Sequence, residues 1–199
     1  MTIWFYSLSA VTLISLVSLI GLFSLAINEE RLTRLILFMV SFAVGALFGD
    51  AFIHLIPEAI DKLGNGVLVP VLILFGILLF FVMEKFILWR HCHHPTTADH
   101  PHPVVFMNLV GDGVHNFIDG MVVAASFMIS FPVGLATTMA VLLHEIPHEI
   151  GNFGVLVHGG LSVKRALLLN FASALLAILG AIISLTLGPY IKDYAAFVL

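Results

Sequence analysis

Apolar residues in this chain run in long blocks broken by short polar punctuation. The first block, Ile3 to Ile27, holds no charged residue. A helix needs about 20 mostly apolar residues to cross a hydrocarbon core of about 30 Å. The blocks predict helices near 3–27, 35–60, 67–84, 104–129, 132–157 and 166–188. Asn28-Glu29-Glu30-Arg31, Asp61 to Gly66, Ser130-Phe131-Pro132 and His158-Gly159-Gly160 supply the breaks, with the turn-forming residues such connections favour. Barrel strands alternate apolar and polar over about ten residues, and these blocks do not. The expected fold is an all-α integral membrane protein, a helical bundle with six transmembrane helices forming one domain over residues 1–199.

Composition strengthens that expectation. Hydrophobic residues make up 60% of the chain and charged residues 10%, against about 25% charged in a soluble domain. The first block lacks the basic start of a signal peptide and its apolar run is too long for one, so it is expected to be a true span. The one cysteine, Cys92, excludes an intramolecular disulfide. A net charge of -4 and eight scattered Lys and Arg residues point away from a nucleic-acid partner. Arg31, Arg34, Lys85, Arg90, Lys164 and Arg165 follow odd-numbered spans, against Lys62 and Lys192 on the other side. The positive-inside rule then places the N-terminus outside the cytoplasm, with the plasma (inner) membrane as the expected location.

Ionisable residues inside spans are costly and mark function by default. Span two carries Asp50, His54 and Glu58; span four carries Asp112, His115, Asn116 and Asp119; span five carries His144, Glu145, His148 and Glu149; span six offers Asn170. Histidine and carboxylate ligands suit zinc and its first-row neighbours. At about 100° per residue, His115 and Asp119 sit about 40° apart, with Asn116 about 60° beyond Asp119. His144 and His148 share one stripe, and Glu145 and Glu149 form the adjacent one. Two such helices face to face can hold two metal ions, with Asp119 and His148 as natural bridging ligands. Pro147 and Pro57 each interrupt a helical hydrogen-bond ladder beside these ligands, a defect tolerated in a membrane only against protein or a water-filled cavity.

Other features have plainer explanations to weigh. A membrane histidine such as His54 can serve as an interhelical hydrogen-bond donor, Asp50 near one end of its stripe can be structural, Asp112 can act behind the ligands, and Glu84 with Lys85 reads as an interfacial pair. The stretch 91–103 contains His91, His93, His94, His100 and His102, a composition that binds metal loosely, and its three prolines make an extended linker. His144-Glu145-Ile146-Pro147-His148 also matches H-E-x-x-H, in which two histidines bind zinc and the glutamate is a general base. An intramembrane metalloprotease is therefore an alternative. Against it stand the proline between the histidines and enough ligands for two ions, where a protease needs one zinc with an open position. A metal sensor that binds without transporting is a third class.

His115-Asn116-Phe117-Ile118-Asp119-Gly120 together with His144-Glu145-Ile146-Pro147-His148-Glu149-Ile150-Gly151 resembles the ZIP family of zinc and iron transporters. It is most similar to the branch whose fifth helix reads H-E-x-P-H-E-x-G-D, and Gly49-Asp50 through His54-Leu55-Ile56-Pro57-Glu58 resembles that branch's second helix. The resemblance implies one site made by His115, Asp119, His144 and His148, and another made by Asn116, Asp119, Glu145 and His148. It also implies metal movement toward the cytoplasm, with the N-terminus outside and the histidine loop inside. Asn152 stands where the branch has an aspartate. The family has eight helices, whereas this chain supplies six and the start of a seventh at Tyr190, which predicts a truncated C-terminus.

The expectation is a transporter, not an enzyme, with the lipid bilayer and divalent metal ions as partners and a homodimer as an allowed assembly. Zn2+ is the expected substrate, and Fe2+, Mn2+ and Cd2+ also fit the ligands. With no P-loop in the sequence, transport is expected to be ATP-independent.

Overall fold

A computed structural model describes residues 2–20, 51–64, 66–91 and 102–191, with isolated positions between 38 and 49. The start of the expected second span, most of the histidine loop and the segment after Ile191 lie outside the described residues, as does the Glu84 side chain.

Every regular element among the described residues is helical. In chain order these are α1 (Thr2–Val17), a π-helical stretch (Ala51–Leu55) leading into α2 (Ile56–Leu63), α3 (Leu68–His91), α4 (Pro103–Ile129), α5 (Phe131–His158), α6 (Val163–Ala174) and α7 (Leu176–Leu187), with a 3-10 turn at Gly188–Tyr190. The π stretch ends just before Pro57. A proline ring clashes with the carbonyl four residues earlier, and a wider turn relieves that clash. Helix α3 continues to His91, several residues past the expected end at 84. The span expected over 166–188 is built as α6 and α7, joined at Leu175.

Two helices, Thr2–Ile20 and Val163–Tyr190, are long and apolar enough to cross a membrane among the described residues. The outer surface fits the same solvent. Leu72, Leu74, Phe75, Ile77 and Leu78 of α3 are all exposed. Such a patch is a liability in water but matches acyl chains.

Helices α4 and α5 form an antiparallel hairpin pinned at both ends. Ser130 is its whole connection: the Ser130 amide donates to the Ser126 carbonyl, and its hydroxyl accepts from the Val133 amide at 3.4 Å. At the other end the His102 amide donates to the Gly159 carbonyl at 2.8 Å, and His102 Nδ1 accepts from the Val104 amide. One histidine of the expected metal-binding loop is therefore a helix cap. Past Gly159, Gly160 adopts φ +101°. The Leu161 amide reaches back to the Leu156 carbonyl and the Gly160 amide to that of Val157, the paired bonds of a Schellman stop. Leu156 and Leu161 are both buried beneath it.

Helix α7 packs against α4 with almost no side chain between them. A Cβ at Gly120 would lie 1.9 Å from the Ala177 carbonyl oxygen, and one at Gly180 would lie 2.0 Å from that of Phe117. Ser184 adds a bond from its hydroxyl to the Met121 carbonyl at 3.1 Å. Lipid tails are as apolar as leucine, so close approach at small residues is how membrane helices gain contact. Helix α1 is tied to the α6–α7 joint, where the Ser15 hydroxyl donates to the Ala174 carbonyl at 2.8 Å and the Ile178 amide donates to Leu175 instead.

The apolar core is divided. One cluster joins Val11, Ile14, Val123, Phe127, Val141, Ala177, Ala181 and Leu185. The other joins Val105, Phe153, Leu156, Leu161, Ala166 and Leu167. Along α4, Val105 and Val123 bracket the stretch from Asp112 to Asp119, so the polar residues form a layer between two dry plugs.

Candidate metal centre

The α4–α5 hairpin turns two polar stripes toward each other at the level between the plugs. Glu145 Oε1 lies 3.0 Å from His115 Nε2, 3.4 Å from His144 Nε2 and 3.8 Å from His148 Nδ1. Asp119 Oδ2 lies 3.1 Å from His144 Nε2 and 3.7 Å from His115 Nε2. One ligand atom from each of His115, Asp119, His144 and Glu145 falls within 4.8 Å of all the others. Ligands about 2.1 Å from a tetrahedral zinc stand about 3.4 Å apart, so these four atoms need only small shifts to surround an ion.

Burial gives the cluster a direction. Glu145 is fully enclosed, whereas the side chains of His115 and His144 are 35% and 42% exposed. An ion approaching from the imidazole side meets nitrogen donors first and a buried carboxylate last. The carboxylates are acceptors only and the imidazoles can offer lone pairs, so the group as a whole presents electron pairs to a cation.

His148 sits beside this cluster. Its ring lies 4.4 Å from that of His115, centroid to centroid. Its Nδ1 is 3.7 Å from Asp112 Oδ1 and 3.4 Å from the Asn152 amide nitrogen. Asn116 is fully buried and donates to the backbone carbonyl of Asp112 at 3.1 Å and to Asp112 Oδ1 at 3.2 Å. Asn152 also donates to Asp112 Oδ1. Glu149 faces away toward α6. It accepts from Asn170, whose amide also reaches the Ser18 carbonyl at the end of α1, 3.3 Å away.

The structure thus gathers His115, Asp119, His144 and Glu145 at one point, with His148, Asn116 and Asp112 alongside and Glu149 with Asn170 deeper in the bundle. Asp50, His93 and His94 lie outside the described residues, as do the side chains of His54, Glu58 and His91. Asn152 enters as a partner of both Asp112 and His148, a role its identity alone does not reveal. Its position, four residues past His148 and eight past His144, extends their stripe and was the available signal. Ser18 carries no such signal, since its contact to Asn170 crosses from one end of the chain to the other.

Comparison with known proteins converges on one family. A family model described as Zip, ZIP Zinc transporter, matches residues 1–105 and 93–193. The zinc transporter zipt-7.1 of Caenorhabditis briggsae is 30% identical over 242 positions, covering 94% of this chain and 62% of that protein. Zinc transporter ZIP13 of Pongo abelii is 35% identical over 81% of this chain and 52% of its own length. Zinc transporter ZIP4 of Mus musculus is 55% identical over 83 residues, 42% of this chain and 13% of that protein. The chain therefore spans less than two thirds of the curated relatives it matches.

Proposed function

We propose that this chain, which belongs to the ZIP zinc transporter family, moves divalent metal ions across the bilayer, with Zn2+ as the principal substrate. The observation that carries this reading is the convergence of His115, Asp119, His144 and Glu145 within 4.8 Å, midway between two apolar clusters. The mixed nitrogen and oxygen donors favour zinc, and Fe2+, Mn2+ and Cd2+ are the secondary substrates that the same set accepts. His148 and Asn116 complete a second position beside the first. Asp119 and His148 are the groups that both positions share, and Glu145 Oε1, within 3.8 Å of His148 Nδ1, stands beside them.

Passage requires the ion to exchange water for protein ligands and back again. The half-exposed imidazoles of His115 and His144 receive the ion, and buried Glu145 supplies the charge that offsets its desolvation. Because ligands must be deprotonated to bind, protonation at the inner face promotes release. In a plasma membrane with the N-terminus outside, the ion moves toward the histidine loop. A negative interior then favours a divalent ion by about 4.6 kcal/mol per 100 mV. Rocking of one helix group against another provides access from alternate sides, and a homodimer is the assembly proposed.

The H-E-x-x-H enzyme reading finds no support. A general base needs room for a water, and Glu145 Oε1 is held among three imidazoles. The test is uptake of Zn2+ into liposomes containing a trapped zinc-responsive dye. Zinc-dependent influx that collapses in both His148→Ala and Glu145→Ala is expected. Folded protein that binds Zn2+ without any flux overturns the transport reading in favour of a sensor.

A further inference from the structure

Behind the histidine cluster lies a group of buried oxygens with too few donors. Asn116 Oδ1 and Asn170 Oδ1 are buried and without a hydrogen-bond partner among the described residues, and Asp112 and its neighbour Ser173 leave Oδ2 and Oγ buried without a bond of normal geometry. The orientation of the amides is set by chemistry. Asn116 and Asn152 must turn nitrogen toward the Asp112 carboxylate, and Asn170 must turn nitrogen toward that of Glu149. Their donors are thereby used, and the carbonyl oxygens of Asn116 and Asn170 are left over. Asp112 is divided in the same way, because Oδ1 takes both amides while Oδ2 takes none.

These groups are neighbours. Asp112 stands beside Ser173 of α6, and Glu149 lies near Asn116 as well as Asn170. Ser173 faces α4 here, since its hydroxyl is 3.5 Å from where a Cβ on Gly113 would stand. Asp112, Glu149 and Asn170 are 4%, 1% and 0% exposed. Two carboxylates, an amide oxygen and a hydroxyl are thus buried where α4, α5 and α6 meet, and buried charge persists only when it is paired or coordinates an ion.

We propose that Asp112, Glu149, Asn170 and Ser173 form a second cation site that takes a hard divalent ion of the Mn2+ or Ca2+ class. All of its donors are oxygen, the set that hard cations prefer, whereas the neighbouring cluster draws on imidazole. Asp112 presents Oδ1 toward His148, leaving Oδ2 for this site. A bound cation joins α4, α5 and α6 at one point and, through Asn170 and Ser18, holds the end of α1. The site stands whether or not zinc is the transported ion.

Electron paramagnetic resonance of Mn2+ titrated into the full chain in detergent micelles tests this. Mn2+ bound without imidazole 14N modulation is expected in the His115→Ala/His144→Ala variant, where the imidazole cluster no longer competes for the ion. Glu149→Gln and Asp112→Asn, both nearly isosteric, weaken Mn2+ binding at least tenfold, and Glu149→Gln changes Zn2+ affinity less than threefold. Mn2+ that carries imidazole nitrogen and vanishes with the histidine pair overturns the proposal, as does Mn2+ binding indifferent to both carboxylate variants. Should a carboxylate variant also lose Zn2+, Ser173→Ala decides. Mn2+ affinity weakened at least threefold at unchanged Zn2+ affinity supports the site, and unchanged Mn2+ affinity overturns it.

Discussion

The α4–α7 contact makes a demanding prediction because a single methyl group must break it. In Gly120→Ala the new Cβ starts 1.9 Å from the Ala177 carbonyl oxygen, and ordinary van der Waals contact begins at 3.4 Å. Backbone cannot swing aside as a side chain does, so the helices separate along their contact. The Ser184 bond to Met121, next in sequence to the substituted residue, lengthens from 3.1 Å. Overpacking of this kind costs about 1–3 kcal/mol, outweighing the 0.5–1 kcal/mol that alanine contributes in a helix. Gly111→Ala is the control on the same helix. Its Cβ meets only the Phe80 ring, at 3.8 Å, so the propensity gain is uncancelled and the protein is stabilised by up to about 1 kcal/mol. Reversible unfolding in bicelles, with Zn2+ titrated in parallel, measures both. Stability should rank Gly111→Ala, wild type, Gly120→Ala. Zn2+ affinity should change less than threefold, because the cluster sits within the α4–α5 hairpin, whose ends are pinned independently of α7. Equal stability for the two variants would refute the close approach.

Glu145→Gln keeps shape and removes charge at the point where three imidazoles meet; Zn2+ affinity by calorimetry should fall at least tenfold, about 1.4 kcal/mol, and retained affinity would exclude Glu145 from the ligand set. Ser130→Ala removes the hydroxyl that caps α5 at the hairpin turn and should cost about 1 kcal/mol in the same unfolding assay. Unchanged stability would mean the 3.4 Å contact contributes nothing.

Much of the centre was legible before any packing was known. The apolar block lengths implied spanning helices, and the four-residue spacing of His115 with Asp119 and of His144 with His148 put each pair on one helical face. The Ser130-Phe131-Pro132 break between two long blocks implied neighbouring antiparallel helices. These inferences hold because helix pitch and turn chemistry act over a few residues. What remained hidden acts across the bundle. No sequence signal announced that Glu149 turns from the histidines to Asn170, or that Asn170 also holds Ser18, just past α1. The break at Leu175 contains neither glycine nor proline. It accompanies a serine of α1 taking the Ala174 carbonyl. Gly120 and Gly180 were visible as glycines, but nothing in their neighbourhoods said they face each other's backbones.

The sequence by itself determined helices, their polar faces and the chemistry those faces offer, because local geometry decides them. The register of α4 on α7, the division of Asp112 between amides and His148, and the buried surplus of oxygen acceptors were decided by tertiary structure. In hydrocarbon, burial of apolar surface does not choose between helix pairings, so backbone contact and the satisfaction of polar groups must choose.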